Sequence, residues 1–92
     1  MKVEEIIQVF RQHGDHKQRE LIRRLAKGGA KTFPAIRAVC AGGYSPSVQR
    51  WAVEALGVYD QRLALPLLRR ALRSPHMSVR LHAIFGIRRL QD

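Results

Sequence analysis

One helical pattern occurs twice in this chain, and the two copies lie 31 residues apart. The first copy consists of Val48, Trp51, Ala52, Ala55, Leu56 and Tyr59, and the second of Val79, His82, Ala83, Gly86, Ile87 and Leu90. Because residues three and four positions apart share a side of a helix, each set lies on one helical face. Two helices with the same face at a fixed offset predict stacked units, since one unit cannot bury its apolar face alone.

Apolar periodicity predicts six helices joined by short breaks. The predicted helices span residues 3–13, 16–27, 32–41, 45–57, 61–73 and 78–90. Glycines mark several of the breaks. Asp15 is suited to the N-cap of the second helix, and Ser45 and Ser47 are alternative N-caps of the fourth. Breaks this short place each helix against its neighbours in sequence, so we expect an all-α fold.

A set of small and apolar residues recurs between residues 45 and 90. It comprises residues 47–57, Asp60, residues 64–68, and then Val79-Arg80, Ala83 and Gly86-Ile87. This pattern resembles the short HEAT-like repeat of the phycobilin-lyase type, which carries Val-Arg, Ala and Ala-Leu-Gly on its first helix and Ala-Leu-Pro and Leu on its second. The resemblance implies a short right-handed α-solenoid built from helical hairpins.

The resemblance also suggests how the chain is organised as one domain. We expect a divergent N-terminal cap and first repeat in residues 1–44, the best-matching repeat in 45–73, and the first helix of an incomplete repeat in 74–92. Gln18-Arg19 aligns with Gln49-Arg50, whereas Lys17 and Arg24 stand where the later repeat has valine and alanine. The second helix therefore cannot bury the same face as the fourth, and such a departure is typical of a capping repeat.

The sixth predicted helix is a first helix without its second. Its repeated face can pack back on the fifth helix, but Ile84 and Phe85 point away from that face. An open apolar flank at the end of a solenoid is typical of a fragment of a longer array, of self-association, of a partner site or of simple exposure. These four alternatives remain open from the sequence.

The charge of the chain is strongly positive and unevenly distributed. There are 17 Lys and Arg against 7 Asp and Glu, for a net charge of +10. The excess lies in residues 1–31 and 61–92, which favours polyanions, acidic protein surfaces or anionic lipid as partners. The acidic start at Glu4-Glu5, the absence of a long apolar run and the single cysteine lead us to expect a cytoplasmic protein without a leader or a membrane span.

Residues suited to catalysis or metal binding are few. The seven acids are scattered, and Cys40 shares the apolar spacing of Phe33 and Ile36, which is typical of a packing thiol. His13 and His16 flank a predicted turn, and the glycine pairs lack the spacing of a phosphate-binding loop. We therefore expect no enzymatic activity, no cofactor and no metal.

Exposed basic residues are the best candidates for binding. On the fifth predicted helix, spacings of seven and four residues align a row of arginines opposite the leucines. By the resemblance, second helices line the concave surface, so these arginines would face the groove. The predicted contact residues are Arg37, Arg62, Arg69, Arg70 and Arg73, supported by Arg19, Arg23 and Lys27 on the second helix.

These residues predict a non-enzymatic scaffold that binds an acidic protein partner, because arginine pairs well with carboxylates. Sequence-independent binding of nucleic-acid phosphates is the alternative, although only Tyr44 and Phe85 are expected to be available for base stacking. Solubility and local salt bridging would also account for the arginines. The lyase activity of some relatives is a further possibility, but fold resemblance alone does not establish an activity.

Overall fold

A computed structural model describes residues 1–91 of the chain. It contains six α-helices: α1 Val3–Phe10, α2 His16–Gly28, α3 Phe33–Ala41, α4 Pro46–Ala55, α5 Gln61–Ala71 and α6 Met77–Gln91. Short 3-10 turns, Gly29–Thr32 and Leu56–Val58, precede α3 and follow α4. The described residues contain no strand, so the predicted all-α class is confirmed.

The helices stack in the order expected of an α-solenoid. α1 packs against α2 and α3, α4 packs against α3 and α6, and α5 packs against α6. The predicted solenoid of six helices is therefore confirmed, and the assignment of α2, α4 and α6 as the first helices of successive hairpins stays a prediction. The handedness of the solenoid and the repeat boundaries stay predictions.

The repeated helical face forms the centre of the core. All six residues of the first copy are buried, and in the second copy Val79, Ala83 and Gly86 are buried. Phe10 stacks on Trp51 with ring centroids 6.3 Å apart, which joins α1 to α4. Burial of a large apolar side chain stabilises a fold by about 1.5–3 kcal/mol, so this face holds the stacked helices together.

Three helices end earlier than predicted. α4 ends at Ala55 rather than at residue 57, because the 3-10 turn Leu56–Val58 follows it. α1 ends at Phe10 rather than residue 13, because the N–H of Gln12 bonds to the Val9 carbonyl in a tighter turn, and Gly14 has a positive φ of 90°. α5 ends at Ala71 rather than at residue 73, again through tighter hydrogen bonds three residues apart. Such tightening of the last turn is common at helix ends.

Ser45 is the serine that caps α4. Its hydroxyl accepts a hydrogen bond from the N–H of Val48 at 3.5 Å. Ser47 does not cap; its hydroxyl donates to the carbonyl of Phe10 at 3.2 Å and so ties α4 to the end of α1. The two serines that compete in sequence thus have separate roles.

The two aspartates at helix starts behave differently. Asp60 caps α5 by accepting the N–H of Arg62 at 2.8 Å, and this hydrogen bond lowers the pKa of the Asp60 carboxyl. Asp15 occupies the N-cap position of α2 but makes no capping hydrogen bond, so the capping role expected of it is wrong. Its carboxylate instead lies 3.5 Å from Nε of Arg19.

Three side chains spaced 31 residues apart hold the loops that precede α2, α4 and α6. The hydrogen bonds run from Gln18 Nε2 to the Gln12 carbonyl at 2.7 Å, from Gln49 Nε2 to the Tyr44 carbonyl, and from Arg80 Nη1 to the Ser74 carbonyl at 2.7 Å. We call residues 18, 49 and 80 the loop-holding positions. Gln18 is only 1% exposed, and among residues 1–91 it is the one buried polar side chain in the core.

Tyr59 joins the turn after α4 to the start of α3. Its hydroxyl lies 2.7 Å from the hydroxyl of Thr32, and its ring meets Phe33 edge to face with centroids 5.2 Å apart. Burial raises the pKa of the Tyr59 phenol above its usual value. The contact stabilises the junction between consecutive hairpins.

Two apolar rows with steps of four residues run along α5; they comprise Leu63, Leu67 and Ala71, and Ala64, Leu68 and Leu72. Ala64 and Leu68 are buried, whereas Leu63 and Leu72 are exposed. The apolar rows of α5 thus belong only partly to the core. On α6, Ile84 and Phe85 are exposed as predicted.

None of the helices within residues 1–91 is both long and apolar enough to cross a membrane.

Candidate functional site

A cleft of about 360 Å³ lies where α3, α4, α5 and α6 meet. It is lined by Cys40, Gln49, Val53, Leu67, Arg70, Ala71, Arg73, Ser74, Pro75 and Val79. None of these lining residues is acidic. The cleft therefore combines an apolar wall with two guanidinium groups.

The end of α5 places both guanidinium groups at this cleft. Arg70 lies in the last turn of α5, and Arg73 follows the helix where its backbone tightens. Both side chains are exposed, and neither pairs with a carboxylate within residues 1–91. Two unpaired guanidinium groups beside apolar surface favour an anion that also carries an apolar group.

Cys40 forms part of the cleft wall near Arg70. It is half-buried rather than fully buried, which the sequence pattern did not predict. Burial raises the pKa of the Cys40 thiol from 9.0 to about 12, and the nearby guanidinium of Arg70 only partly offsets this. Since the thiolate is the reactive form, the protonated thiol at neutral pH is an unreactive packing group.

Three other arginines predicted for the contact lie outside the cleft lining. The Arg37 guanidinium lies 5.9 Å from the ring centroid of Phe33, and Arg62 Nε lies 3.5 Å from the carboxylate of Asp60. Arg69 is exposed on α5. The predicted row is thus exposed throughout, but the structure brings only Arg70 and Arg73 of that group into one cleft.

On α2, Arg19 has a structural role that the sequence did not reveal. Its guanidinium lies 5.6 Å from the ring centroid of Trp51, and that of Arg50 lies 4.6 Å from the same ring. The cation–π contact of Arg19 with the buried tryptophan stabilises the packing of α2 against α4, whereas Arg50 covers the same ring from within α4. Arg19 is consequently less available to a partner than the sequence pattern indicates.

Arg23 lines a second, shallower groove of about 330 Å³ together with Arg19, Ile22, Glu54, Gly57, Val58 and Arg89. Glu54 lies in this groove, with its carboxylate 3.9 Å from Nη2 of Arg89. The carboxylate reduces the attraction of the groove for anions. Lys27, the remaining predicted residue, is exposed in the last turn of α2, where a positive charge also favours the helix dipole.

His13 and His16 do not form a metal site. His16 lies 3.9 Å from the Glu20 carboxylate, and both of these side chains are largely exposed. Within residues 1–91, no three His, Cys, Asp or Glu side chains are arranged to hold a metal ion. The acids and thiol of the described chain thus offer no preformed metal centre.

Sequence reasoning found the arginines of the cleft but not the cleft itself. The cleft also needs Gln49 and Val53 from α4 and Val79 from α6. Their convergence depends on the packing of α6 against α4 and α5, which a one-dimensional pattern does not specify. The equal spacing of the hairpins is the feature of the sequence that could have indicated which helices meet at the cleft.

Residues 3–88 match the family model described as HEAT repeats. The match covers nearly all of the described chain and agrees with the stacked hairpins. No match is found among curated proteins or among solved structures.

Proposed function

The chain belongs to the HEAT-repeat family, and from this premise we propose that it is a non-enzymatic scaffold whose cleft binds an acidic segment of another protein. HEAT repeats commonly mediate protein–protein interaction. The observation that supports the acidic partner is the pair of guanidinium groups of Arg70 and Arg73, which lie beside an apolar wall and have no carboxylate partner within residues 1–91. The phycobilin-lyase subtype of the repeat stays a prediction.

The chemistry of the cleft favours a carboxylate next to an apolar side chain. A guanidinium can donate two parallel hydrogen bonds to one carboxylate, which fixes orientation as well as adding affinity. Val53, Leu67 and Val79 provide the surface on which an inserted leucine or phenylalanine would lose contact with water. A volume of about 360 Å³ is at the lower end of ligand pockets, which suits one or two side chains.

The remaining basic residues act at longer range in this proposal. Arg37, Arg62 and Arg69 extend the positive surface of α3 and α5, and Arg23 and Lys27 add charge on α2. The net charge of +10 attracts an acidic partner during encounter and raises the association rate at low salt. These residues would affect the rate of binding more than the lifetime of the complex.

Binding of nucleic-acid phosphates is the second candidate. It is favoured by residues 61–91, which contain seven arginines and no acidic residue. The aromatic side chains argue against recognition of single strands, because Phe10, Phe33, Trp51 and Tyr59 are buried in the core. A duplex backbone needs only the positive charge.

A direct test compares two fluorescein-labelled probes by fluorescence anisotropy at about 50 and 200 mM salt. The first is a glutamate-rich peptide with one central leucine, and the second is a random-sequence DNA duplex. We expect the peptide to bind more weakly when its leucine is replaced by alanine, because the apolar wall then loses its contact. Loss of affinity for DNA between the two salt concentrations is expected to be steep, by about 10³-fold or more if six or more phosphates are contacted.

Matched variants separate the cleft from the total charge. Arg70→Glu/Arg73→Glu is expected to weaken peptide binding at least tenfold more than Arg23→Glu/Arg24→Glu, which changes the net charge equally on α2. Equal losses in both variants would mean that total charge, not the cleft, attracts the probe. Tight DNA binding with no peptide binding would replace the proposal by the nucleic-acid alternative.

A further inference from the structure

α6 presents an apolar row to solvent on the side opposite its core face. Met77, Leu81, Ile84 and Phe85 are exposed, and Phe85 is 48% exposed. Steps of four, three and one residues place these side chains on one helical face. The buried residues of α6, including Val79 and Ala83, lie on the other face. An apolar row of this length on a surface helix marks an interaction site.

Comparison with the earlier hairpins shows what this face normally meets. Residues 22, 53 and 84 are equivalent in the 31-residue spacing and are Ile, Val and Ile. Ile22 lines a groove with Gly57 and Val58, and Val53 lines the cleft with Val79, so each faces the following hairpin. Val53 is 5% exposed and Ile84 is 41% exposed. Position 84 therefore has the residue type of a buried stacking position but no described helix over it.

The N-terminal side of the array differs in this respect. The outward residues of α1 include Glu4, Glu5 and Gln8, and those of α2 include Arg24 and Lys27, all exposed. A polar outer face is what allows a terminal repeat to remain soluble. The apolar face of α6 is not capped in this way, so it is suited to being covered.

The charge around the outward face of α6 indicates which kind of helix could cover that face. Exposed Arg88 continues the apolar row, and residues 61–91 contain seven arginines with no acid. A second copy packed through α6 would bring arginines against arginines, which is unfavourable. A second copy packed head to tail would present the polar face of α1, which cannot cover Leu81, Ile84 and Phe85. Both arrangements of this chain with itself are disfavoured.

We propose that the outward face of α6 binds an amphipathic, acidic helix from another protein. Its apolar residues, spaced three and four apart, would pack on Leu81, Ile84 and Phe85, and its carboxylates would pair with Arg88. The bound helix would take the position over α6 that α6 itself takes over α4. This surface lies on the opposite side of α6 from the cleft, so the inference does not rest on the proposed function.

The test uses fluorescein-labelled helical peptides of about 18 residues. One carries leucines at three- and four-residue spacing with glutamates elsewhere, a second has lysines in place of the glutamates, and a third has alanines in place of the leucines. We expect only the first to bind at about 100 mM salt, measured by fluorescence anisotropy. Light scattering of the protein alone is expected to give a monomer.

Surface variants locate the binding. Ile84→Ser/Phe85→Ser is expected to weaken the first peptide at least tenfold, whereas Leu63→Ser, which changes an exposed leucine on α5, leaves its affinity unchanged. Arg88→Glu is expected to weaken it, with Arg24→Glu as the charge control. Circular dichroism checks that each variant stays folded, as expected for exposed positions.

Several outcomes would overturn the proposal. They are an absence of binding at about 100 μM protein, equal binding of the glutamate and lysine peptides, or binding that Arg70→Glu/Arg73→Glu abolishes while Ile84→Ser/Phe85→Ser does not. A dimer that the α6 variant dissociates would assign the face to a second copy. Failure of the cleft proposal alone would leave the α6 variants with their expected effect.

Discussion

Replacing Gln18 by methionine tests whether the loop-holding positions stabilise the fold. Methionine has nearly the same length as glutamine and keeps the apolar contacts, but it cannot donate a hydrogen bond to the Gln12 carbonyl. The wild-type bond is short, 2.7 Å between Nε2 and the carbonyl oxygen, and Gln18 is 1% exposed. The change therefore removes one buried hydrogen bond and little else.

The loss in free energy of unfolding depends on whether water can reach the Gln12 carbonyl once its hydrogen bond is removed. If water reaches the Gln12 carbonyl after the substitution, the loss is about 1 kcal/mol, the net value of an ordinary hydrogen bond. If the carbonyl stays without a partner, the loss rises to about 1–3 kcal/mol. In a domain of this size, each 1 kcal/mol lowers the melting temperature by roughly 4–8 °C.

Thermal unfolding followed by circular dichroism measures the effect, with Gln8→Met as the control because Gln8 is an exposed glutamine on α1. We expect Gln18→Met to melt lower than wild type by about 4 °C or more and Gln8→Met to change little. Gln49→Met is expected to have a smaller effect, because Gln49 is only half-buried. Equal melting temperatures for Gln18→Met and Gln8→Met would refute the structural role of the buried amide.

Three further predictions concern titration, capping and packing. Because burial raises the pKa of the Cys40 thiol to about 12 and that of the Tyr59 phenol above its usual value, the unfolded state loses these protons first as pH rises. Stability is then full below about pH 9 and falls as pH rises toward about 12, which urea midpoints across that range would show, with Cys40→Ala reducing the slope. Asp60→Ala is expected to lower the melting temperature of the protein, whereas Asp60→Asn is expected to retain it, because asparagine also caps helices. Equal melting temperatures for the two variants would exclude a capping role of Asp60. Gly86→Ala places a Cβ 3.0 Å from Cδ2 of buried Leu68, so overpacking of about 1–3 kcal/mol should exceed the roughly 1 kcal/mol gained in helix propensity, and a higher melting temperature would contradict this.

The sequence predicted the helices well because their spacing is a local property. α2 and α3 lie within one residue of their predicted bounds, and the face containing Val48 and Val79 is buried as expected. Spacing alone does not show which neighbour covers a face. On α5, for example, Leu63 and Leu72 belong to apolar rows of helical spacing, yet both are exposed.

The candidate site was predicted only in part for a related reason. Arg70 and Arg73 were identified from charge and helical spacing, but their cleft also needs Cys40 from α3 and Val79 from α6. Contacts between residues so far apart in sequence arise from packing. The role of Arg19 was missed in the same way, since its stacking on Trp51 joins two hairpins.

The loop-holding positions also bear on how such a chain can grow. Each hairpin carries the side chain that fastens its own entry loop, and the carbonyl that it binds lies five or six residues before it. A duplicated 31-residue segment would thus bring both donor and acceptor with it. An array of this kind can be lengthened by internal duplication without inventing a new connection, and only the surface between adjacent units then needs to adapt.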